Sequence, residues 1–145
     1  MERMFWDGQA ASKALYSACV ETVCREYGLT RAELDILLFL ANNPEFDTAT
    51  DIVERRCISK AHVSQSIKAL EGRGYLERRY AGDNRRTIHL RLLEASAAAV
   101  EEGQCAQQKC FSMLFEGFGD EDREQLRNLL QRVAANAHAH IKEKE

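Results

Sequence analysis

Apolar residues recur at helical spacing over most of the chain, and clear cap residues separate one helix from the next. The segment from about Phe5 to Tyr27 carries such a pattern and stops at Gly28, a residue type that favours helix C-termini. Thr30-Arg31-Ala32-Glu33 has the form of a capping box, and a largely apolar segment follows it as far as Ala41. The pattern predicts two helices before the Asn-Asn-Pro sequence at 42–44.

Two shorter helices are predicted next, joined by only about three residues. The first begins at Thr48 and runs to about Arg56, and Ser59 is placed to cap the second, which stops at Gly74. In the second helix the apolar residues at 63, 67 and 70 share one face and are expected to pack inward. Two short helices with so brief a connection are typical of a helix-turn-helix.

A short two-stranded ribbon is predicted over residues 75–80 and 87–92. The apolar residues Ile88, Leu90 and Leu92 alternate with polar ones, as in a strand with one buried face. Residues 81–86 form the predicted turn, with Gly82 as the turn residue and two arginines near the tip. A ribbon directly after a helix-turn-helix predicts a winged helix-turn-helix.

Beyond Leu93 the chain is predicted to return to helix, first to about Phe118 and then from a cap at Asp120 onward. Apolar helical surface at both chain ends exceeds what a small lobe needs, which indicates pairing with a second copy. We therefore expect a mainly α fold with a small β-wing, forming one continuous α-rich domain. Residues 29–93 are the expected DNA-binding lobe, and residues 1–28 and 94–145 are the expected dimerisation helices.

Charge is distributed unevenly along the chain. The formal net charge of -3 argues by itself against a nucleic-acid partner. Residues 55–91, however, hold ten Lys or Arg and three acids, a net of +7 that leaves -10 for the remainder. A basic segment within an acidic chain is the pattern expected of a phosphate-binding surface. Double-stranded DNA is therefore the expected partner.

The rest of the composition argues against a membrane protein, a secreted disulfide-bonded protein and a metal-binding protein. No apolar run approaches the length of a membrane span, and the first residues do not resemble a signal peptide, so we expect a cytoplasmic protein. The five cysteines are odd in number and irregular in spacing, which does not suit a disulfide framework or a zinc site. His138 and His140 are two residues apart, a poor spacing for one helix face. No metal or cofactor is expected.

The candidate DNA contacts lie on the second short helix and at the ribbon tip. On the helix they are Ser59, Lys60, Ala61, His62, Ser64, Gln65 and Lys68. At the tip they are Asp83, Asn84, Arg85 and Arg86. Gln65 can form a bidentate contact with adenine in the major groove, and an arginine at the tip suits a narrow minor groove. Thr48, at a helix N-terminus, and Arg78 are expected near DNA phosphates.

The order of these elements resembles the MarR family of bacterial transcriptional regulators over essentially the whole chain. The pattern Val63-Ser64 followed by Leu70-Glu71 and Gly74 is similar to the family's recognition helix, and residues 83–90 are similar to its wing. Asn84 stands where the family usually has aspartate, and Gln65 where arginine is common, so the preferred DNA sequence stays open. The resemblance implies a homodimer on a palindromic operator, acting as a repressor and not as an enzyme.

The resemblance also implies regulation, for which two sets of residues are candidates. A small aromatic or lipophilic effector would bind between the dimerisation helices and the DNA-binding lobe, in a cleft lined by Trp6, Tyr16, Phe39 and Phe111. Alternatively, oxidant sensing would use Cys19, Cys24, Cys105 or Cys110, although the position of the reactive cysteine in the family's peroxide-sensing branch is Ser12 here. A winged helix that binds protein instead of DNA is a further alternative.

Overall fold

The computed structural model describes residues 1–142 and contains six α-helices and one β-hairpin within them. The helices are α1 Glu2–Tyr27, α2 Arg31–Asn42, α3 Ala49–Arg56, α4 Lys60–Gly72, α5 Ala97–Leu114 and α6 Asp120–Lys142. The strands are β1 Leu76–Ala81 and β2 Asn84–Leu92, and a single 3-10 turn, Glu94–Ser96, precedes α5. The predicted mainly α fold with a small β-wing is confirmed.

The predicted cap residues lie at the end of α1 and at the starts of α2, α3 and α4. Gly28 ends α1 in the left-handed conformation, with φ 62°. Thr30 and Thr48 each form a complete capping box, with Glu33 and Asp51 respectively. Ser59 caps α4 by accepting a hydrogen bond from the backbone N–H of His62 at 3.2 Å. Each such cap contributes about 1 kcal/mol, so these residues fix where the helices start.

The prediction at the start of α6 was wrong in detail. Asp120 is the first residue of the helix and not its cap. The carboxylate of Asp122 accepts a hydrogen bond from the N–H of Gly119 at 3.1 Å and so satisfies a donor at this helix end.

One apolar core holds the helix-turn-helix together. It is built on α2, whose residues Leu34, Ile36, Leu37 and Leu38 are all at most 1% exposed. Helix α4 and strand β2 pack against α2, and α3 packs against α4. Gly103 brings α5 close to α2, because an added Cβ there would lie 2.8 Å from a methyl carbon of Leu38.

The chain divides into two compact units, Met1–Cys110 and Phe111–Glu145. The first contains the helix-turn-helix and the hairpin. The second contains α6 and an aromatic group in which the Phe111 and Phe115 rings stack at 6.0 Å and Phe118 meets Phe115 edge-on at 5.6 Å. None of the helices within residues 1–142 has the length and apolar character that crossing a membrane requires.

Candidate nucleic-acid interface

Helix α4 has one buried and one exposed face. Val63, Ile67 and Leu70 are at most 4% exposed and belong to the core, as the apolar spacing predicted. All seven predicted contact residues from 59 to 68 are exposed, including Lys60, Gln65 and Lys68. The helix therefore presents a stripe of hydroxyl, amide and ammonium groups to solvent while its opposite stripe fixes its orientation.

The turn between α3 and α4 depends on an unusual backbone conformation. Cys57 has φ 53°, and it is the only non-glycine residue with positive φ in the part of the chain that the structure describes. A left-handed residue lets α3 end abruptly, so that α4 begins after only three residues. Cys57 is exposed and was not among the predicted site residues.

The hairpin is longer than predicted and its turn is shorter. The predicted turn over 81–86 was wrong, because Ala81 pairs with Asn84 and only Gly82 and Asp83 lie between the strands. Pairing then shifts, with Tyr80 opposite Ile88, so that residues 85–87 form a bulge. The bulge holds both arginines of the tip, Arg85 and Arg86, in exposed positions.

Asn84 shapes this tip directly. Its side-chain oxygen accepts a hydrogen bond from the backbone N–H of Arg86 at 3.0 Å, which is the geometry of an Asx turn. Asparagine therefore gives the bulge a local side-chain bond at the position where the related wing pattern has aspartate.

The base of the hairpin is tied to the start of α3. The backbone N–H of Leu90 donates to the carbonyl of Asp47 at 2.7 Å. The Nδ1 atom of His89 lies 2.8 Å from a carboxylate oxygen of the same Asp47. Sequence reasoning did not identify Asp47, because its partner lies 42 residues away in the chain.

Six of the ten basic residues in the segment 55–91 are engaged by the protein itself; we call these the engaged cations. They are Arg55, Arg56, Arg73, Arg78, Arg79 and Arg91. Glu77 binds Arg79 at 2.9 Å and Arg91 at 3.1 Å, whereas the guanidinium group of Arg55 lies 3.5 Å from the centre of the Phe46 ring. These side chains contribute to the structure of the lobe.

The other four basic residues have no side-chain partner among residues 1–142; we call these the unpaired cations. They are Lys60, Lys68, Arg85 and Arg86. Two lie on the outer face of α4 and two in the bulge of the hairpin. All four are exposed, which leaves their charges available to phosphate groups.

The side chains of both residues predicted to lie near DNA phosphates, Thr48 and Arg78, have partners within the protein. The hydroxyl of Thr48 donates to Asp51 at 2.8 Å and accepts the N–H of Asp51 at 3.1 Å. Arg78 is half-buried, and its Nε lies 3.2 Å from Glu71. Their contacts with DNA stay predictions, and neither side chain is available without breaking a bond of the fold.

A largely apolar cavity of about 380 Å³ lies between α3, α4 and the hairpin. Its walls include Val53, Val63, Ile67, Ile88 and Leu90, with Lys60 and Arg78 among the lining residues. The Nε of Arg78 is buried and makes no hydrogen bond, since its contact with Glu71 is an ion pair without hydrogen-bond geometry. The cavity therefore combines apolar walls with a cation whose hydrogen bonding is incomplete.

The four residues of the predicted effector cleft occupy different environments. Phe39 is 2% exposed in the core, and the half-buried Tyr16 packs against that core. Burial raises the pKa of Tyr16, whose hydroxyl accepts a hydrogen bond from Gln107 at 2.9 Å. Trp6 is 60% exposed near the start of α1 and meets Phe5 edge-on, and Phe111 is 53% exposed in the second compact unit.

The four candidate redox cysteines also differ. Cys110 is buried and Cys105 is exposed. Burial raises the pKa of the Cys110 thiol, and a hydrogen bond with Cys19 raises it further. Burial likewise raises the pKa of Cys24, whose thiol donates to the carbonyl of Thr30. These environments disfavour the reactive thiolate at Cys24 and Cys110.

The described elements define a winged helix-turn-helix protein, and part of its sequence matches a family model. A model of the MarR family matches residues 27–87, from the end of α1 to the wing. No curated protein matches the chain in sequence. Residues 27–87 are therefore similar in sequence to the MarR family, and the chain has the fold of solved MarR family regulators.

Solved structures share the fold over nearly the whole chain. The transcriptional regulator SlyA aligns with a TM-score of 0.80 at 20% identity, covering 100% of each chain. A MarR family regulator from Listeria monocytogenes, complexed with a 26-mer DNA, has a TM-score of 0.80 at 19% identity and covers 91% of this chain and 87% of that one. BpsR of Bordetella bronchiseptica, whose DNA binding is regulated by 6-hydroxynicotinic acid, has a TM-score of 0.69 at 21% identity, covering 90% and 98%.

Proposed function

We propose that the chain is a homodimeric, sequence-specific DNA-binding regulator that represses transcription and is released by a small ligand. The observation that carries this proposal is the placement of the unpaired cations. They occur on α4 and at the wing tip, the two places where a winged helix-turn-helix meets a major groove and the adjacent minor groove. The exposed polar groups between them, including Gln65 and Ser64, are suited to base edges.

A role as a protein-binding module is the weaker candidate. Such a module would present apolar side chains on the outer face of α4, where this chain presents lysines, a glutamine and serines. We propose no enzymatic activity, and we expect the protein to act in the cytoplasm, with the DNA.

Pairing of two copies is supported by exposed apolar side chains at both ends of the chain. Trp6 and Met4 are exposed in α1, and Leu129, Leu130 and Val133 are each about half exposed in α6. Large apolar side chains so close together on a helix are normally covered by a partner. A two-fold dimer would direct two copies of α4 to major grooves about one DNA turn apart.

The cavity beside α4 is our proposed site for the releasing ligand. Its volume of about 380 Å³ suits a small aromatic molecule. A carboxylate on that molecule would pair with the guanidinium group of Arg78, which lines the cavity, while the ring would contact Val63 and Ile67. Because Lys60 and Ser64 line both the cavity and the predicted DNA face, an occupant would disturb DNA contacts directly. The effector cleft predicted from the sequence is the alternative proposal.

Selection of bound sequences from a random duplex pool tests the DNA-binding proposal. We expect enrichment of a palindrome whose half-sites are about one helical turn apart, bound by two copies of the chain. Sedimentation of the purified complex would give its stoichiometry. A pool with no enriched sequence after repeated rounds would contradict the proposal.

Competition by small aromatic acids tests the ligand proposal separately. An acid that occupies the cavity should displace the selected duplex from the wild-type protein. The variant Val53→Trp, which fills the cavity from the half-buried wall on α3, should still bind DNA but no longer respond. Equal displacement from both proteins would exclude this cavity and favour the alternative cleft.

A further inference from the structure

Arg73 joins the end of the recognition helix to the end of α1. It follows α4 directly as its C-cap residue. Its Nη1 donates to the carbonyl of Gly28 at 2.9 Å, and its Nη2 donates to the carbonyl of Tyr27. Carbonyl groups at the last turn of a helix have no partner within that helix, so one arginine satisfies two acceptors at the end of α1.

The chemistry of this contact suits arginine in particular. The guanidinium group presents several N–H donors in a rigid plane and can reach two carbonyls at once. Its positive charge also lies at the negative end of the α1 dipole. The guanidinium carbon also lies 4.7 Å from the centre of the Tyr75 ring, a cation–π contact that helps to hold the group in place. The guanidinium group of the exposed Arg73 is therefore already engaged by the end of α1.

The same helix end is bonded to α5. The Tyr27 hydroxyl donates to Glu102 at 2.9 Å, and this hydrogen bond raises the pKa of Tyr27 to about 12. Arg73 and Glu102 thus hold the backbone and the side chain of one residue, Tyr27, from α4 and α5 respectively. Three helices meet at this point, and Arg73 is the group through which α4 takes part.

We propose that Arg73 is a positioning residue that sets the spacing of the two recognition helices in the dimer without contacting DNA. The inference rests on the proposed function. The apolar core attaches α4 to α2 and α3, whereas Arg73 attaches the C-terminal end of α4 to α1. A bidentate bond at the end of α4 fixes its direction relative to α1. Because α1 is a proposed dimerisation helix, this direction determines the half-site spacing.

The test compares the selected operator with versions whose spacer is one base pair shorter or longer. The wild-type chain should prefer its own spacing by about tenfold or more, the range in which mismatched sites are rejected. The full-length variant Arg73→Gln should bind all three duplexes to within about threefold of one another. Its base preference inside each half-site should match that of the wild type, because the outer face of α4 is unchanged.

Two further variants make the result specific. Arg25→Gln removes an arginine from the same end of α1 and should keep the wild-type spacing preference. Among residues 1–142 the Arg25 side chain binds only Glu21, one turn away at 2.6 Å. Arg73→Lys keeps the charge but lacks the planar fork, and should relax the spacing preference partially. If a thermal melt shows that Arg73→Gln is unfolded, the comparison is made with Arg73→Lys alone.

The outcomes separate the two proposals. Equal spacing discrimination by the wild type and the folded Arg73 variants would overturn the positioning role and leave DNA binding intact. An equal loss of affinity for all three duplexes, with the wild-type ranking retained, would also overturn it, because that pattern indicates a lost phosphate contact. A wild-type chain that enriches no sequence would overturn the proposed function and this inference with it.

Discussion

The engaged and unpaired cations of the DNA-binding lobe carry the same charge but differ in their surroundings. Arg79 and Arg91, which are engaged, share the carboxylate of Glu77 near the base of the hairpin. Arg85 and Arg86, which are unpaired, lie a few residues away in the exposed bulge. The hairpin thus has arginines paired with a carboxylate at its base and, within residues 1–142, two arginines without an ion pair at its tip.

This difference changes how the charge pattern should be interpreted. The net charge of +7 over residues 55–91 correctly marks the lobe but overstates the charge available to a partner. Since six of the ten cations are engaged, the available charge reduces to the four unpaired ones. The comparison predicts that DNA affinity depends on the unpaired cations, whereas stability depends on the engaged ones.

Removing both charges of the wing tip should have the largest effect. The double variant Arg85→Ala, Arg86→Ala is expected to weaken binding to the selected operator by about 100-fold. In a dimer it removes four cations, so the slope of log K against log salt should become shallower by roughly two to four. Fluorescence anisotropy at several salt concentrations measures both quantities. The matched control, Arg79→Ala with Arg91→Ala, removes the same charge from the hairpin base and should change the slope by less than about one.

A substitution at Gln65 tests the recognition of bases, whereas the wing-tip variant tests the contribution of charge. Gln65→Ala should weaken operator binding by about tenfold, since one bidentate base contact contributes about 1–3 kcal/mol. The loss should be confined to operators with the preferred base at one position in each half-site. Repeating the sequence selection with the variant measures this. Lys68→Ala is the control, and its loss of affinity should be similar on every duplex. An unchanged base preference in Gln65→Ala would show that another residue contacts the base.

Residues with local partners could be predicted from the sequence. The capping boxes at Thr30 and Thr48 span three residues each, and the inward stripe of α4 follows from helical spacing alone. The partners of Arg73 lie 45 and 46 residues away, so no local pattern indicates that this arginine is engaged. The short turn at Gly82 depends on a bulge that the sequence pattern did not specify. The fold was predictable because caps and apolar spacing are local sequence patterns. Which cations are engaged and which are unpaired depends on tertiary contacts.

Converting engaged cations into unpaired ones should strengthen binding. Glu77→Gln removes the carboxylate that holds both Arg79 and Arg91, so these side chains become available to phosphate. We expect about a threefold gain in affinity at low salt and a steeper salt dependence. The same anisotropy titration measures it. A loss of affinity, with the thermal melt unchanged, would indicate that the two ion pairs hold the hairpin in its binding position.

The smallest expected effect concerns stability at alkaline pH. The folded pKa of Tyr27 is about 12, above its ordinary value of 10.0, so the folded state holds this proton more tightly. Its contribution to stability is therefore present below pH 10 and is lost as the pH rises toward 12. Urea unfolding should show that Tyr27→Phe is less stable than the wild type at pH 8, and that the difference shrinks by pH 11. A difference independent of pH would contradict a role for the bond to Glu102.

Hydroxyl-radical footprinting of the selected operator tests most directly whether the unpaired cations form the DNA-binding surface. With the wild-type chain we expect two protected regions about one helical turn apart, each with an adjacent minor-groove segment covered by a wing. In the variant Arg85→Ala, Arg86→Ala, at a protein concentration that restores saturation, only the minor-groove segments should lose protection. A footprint identical to that of the wild type would contradict the account.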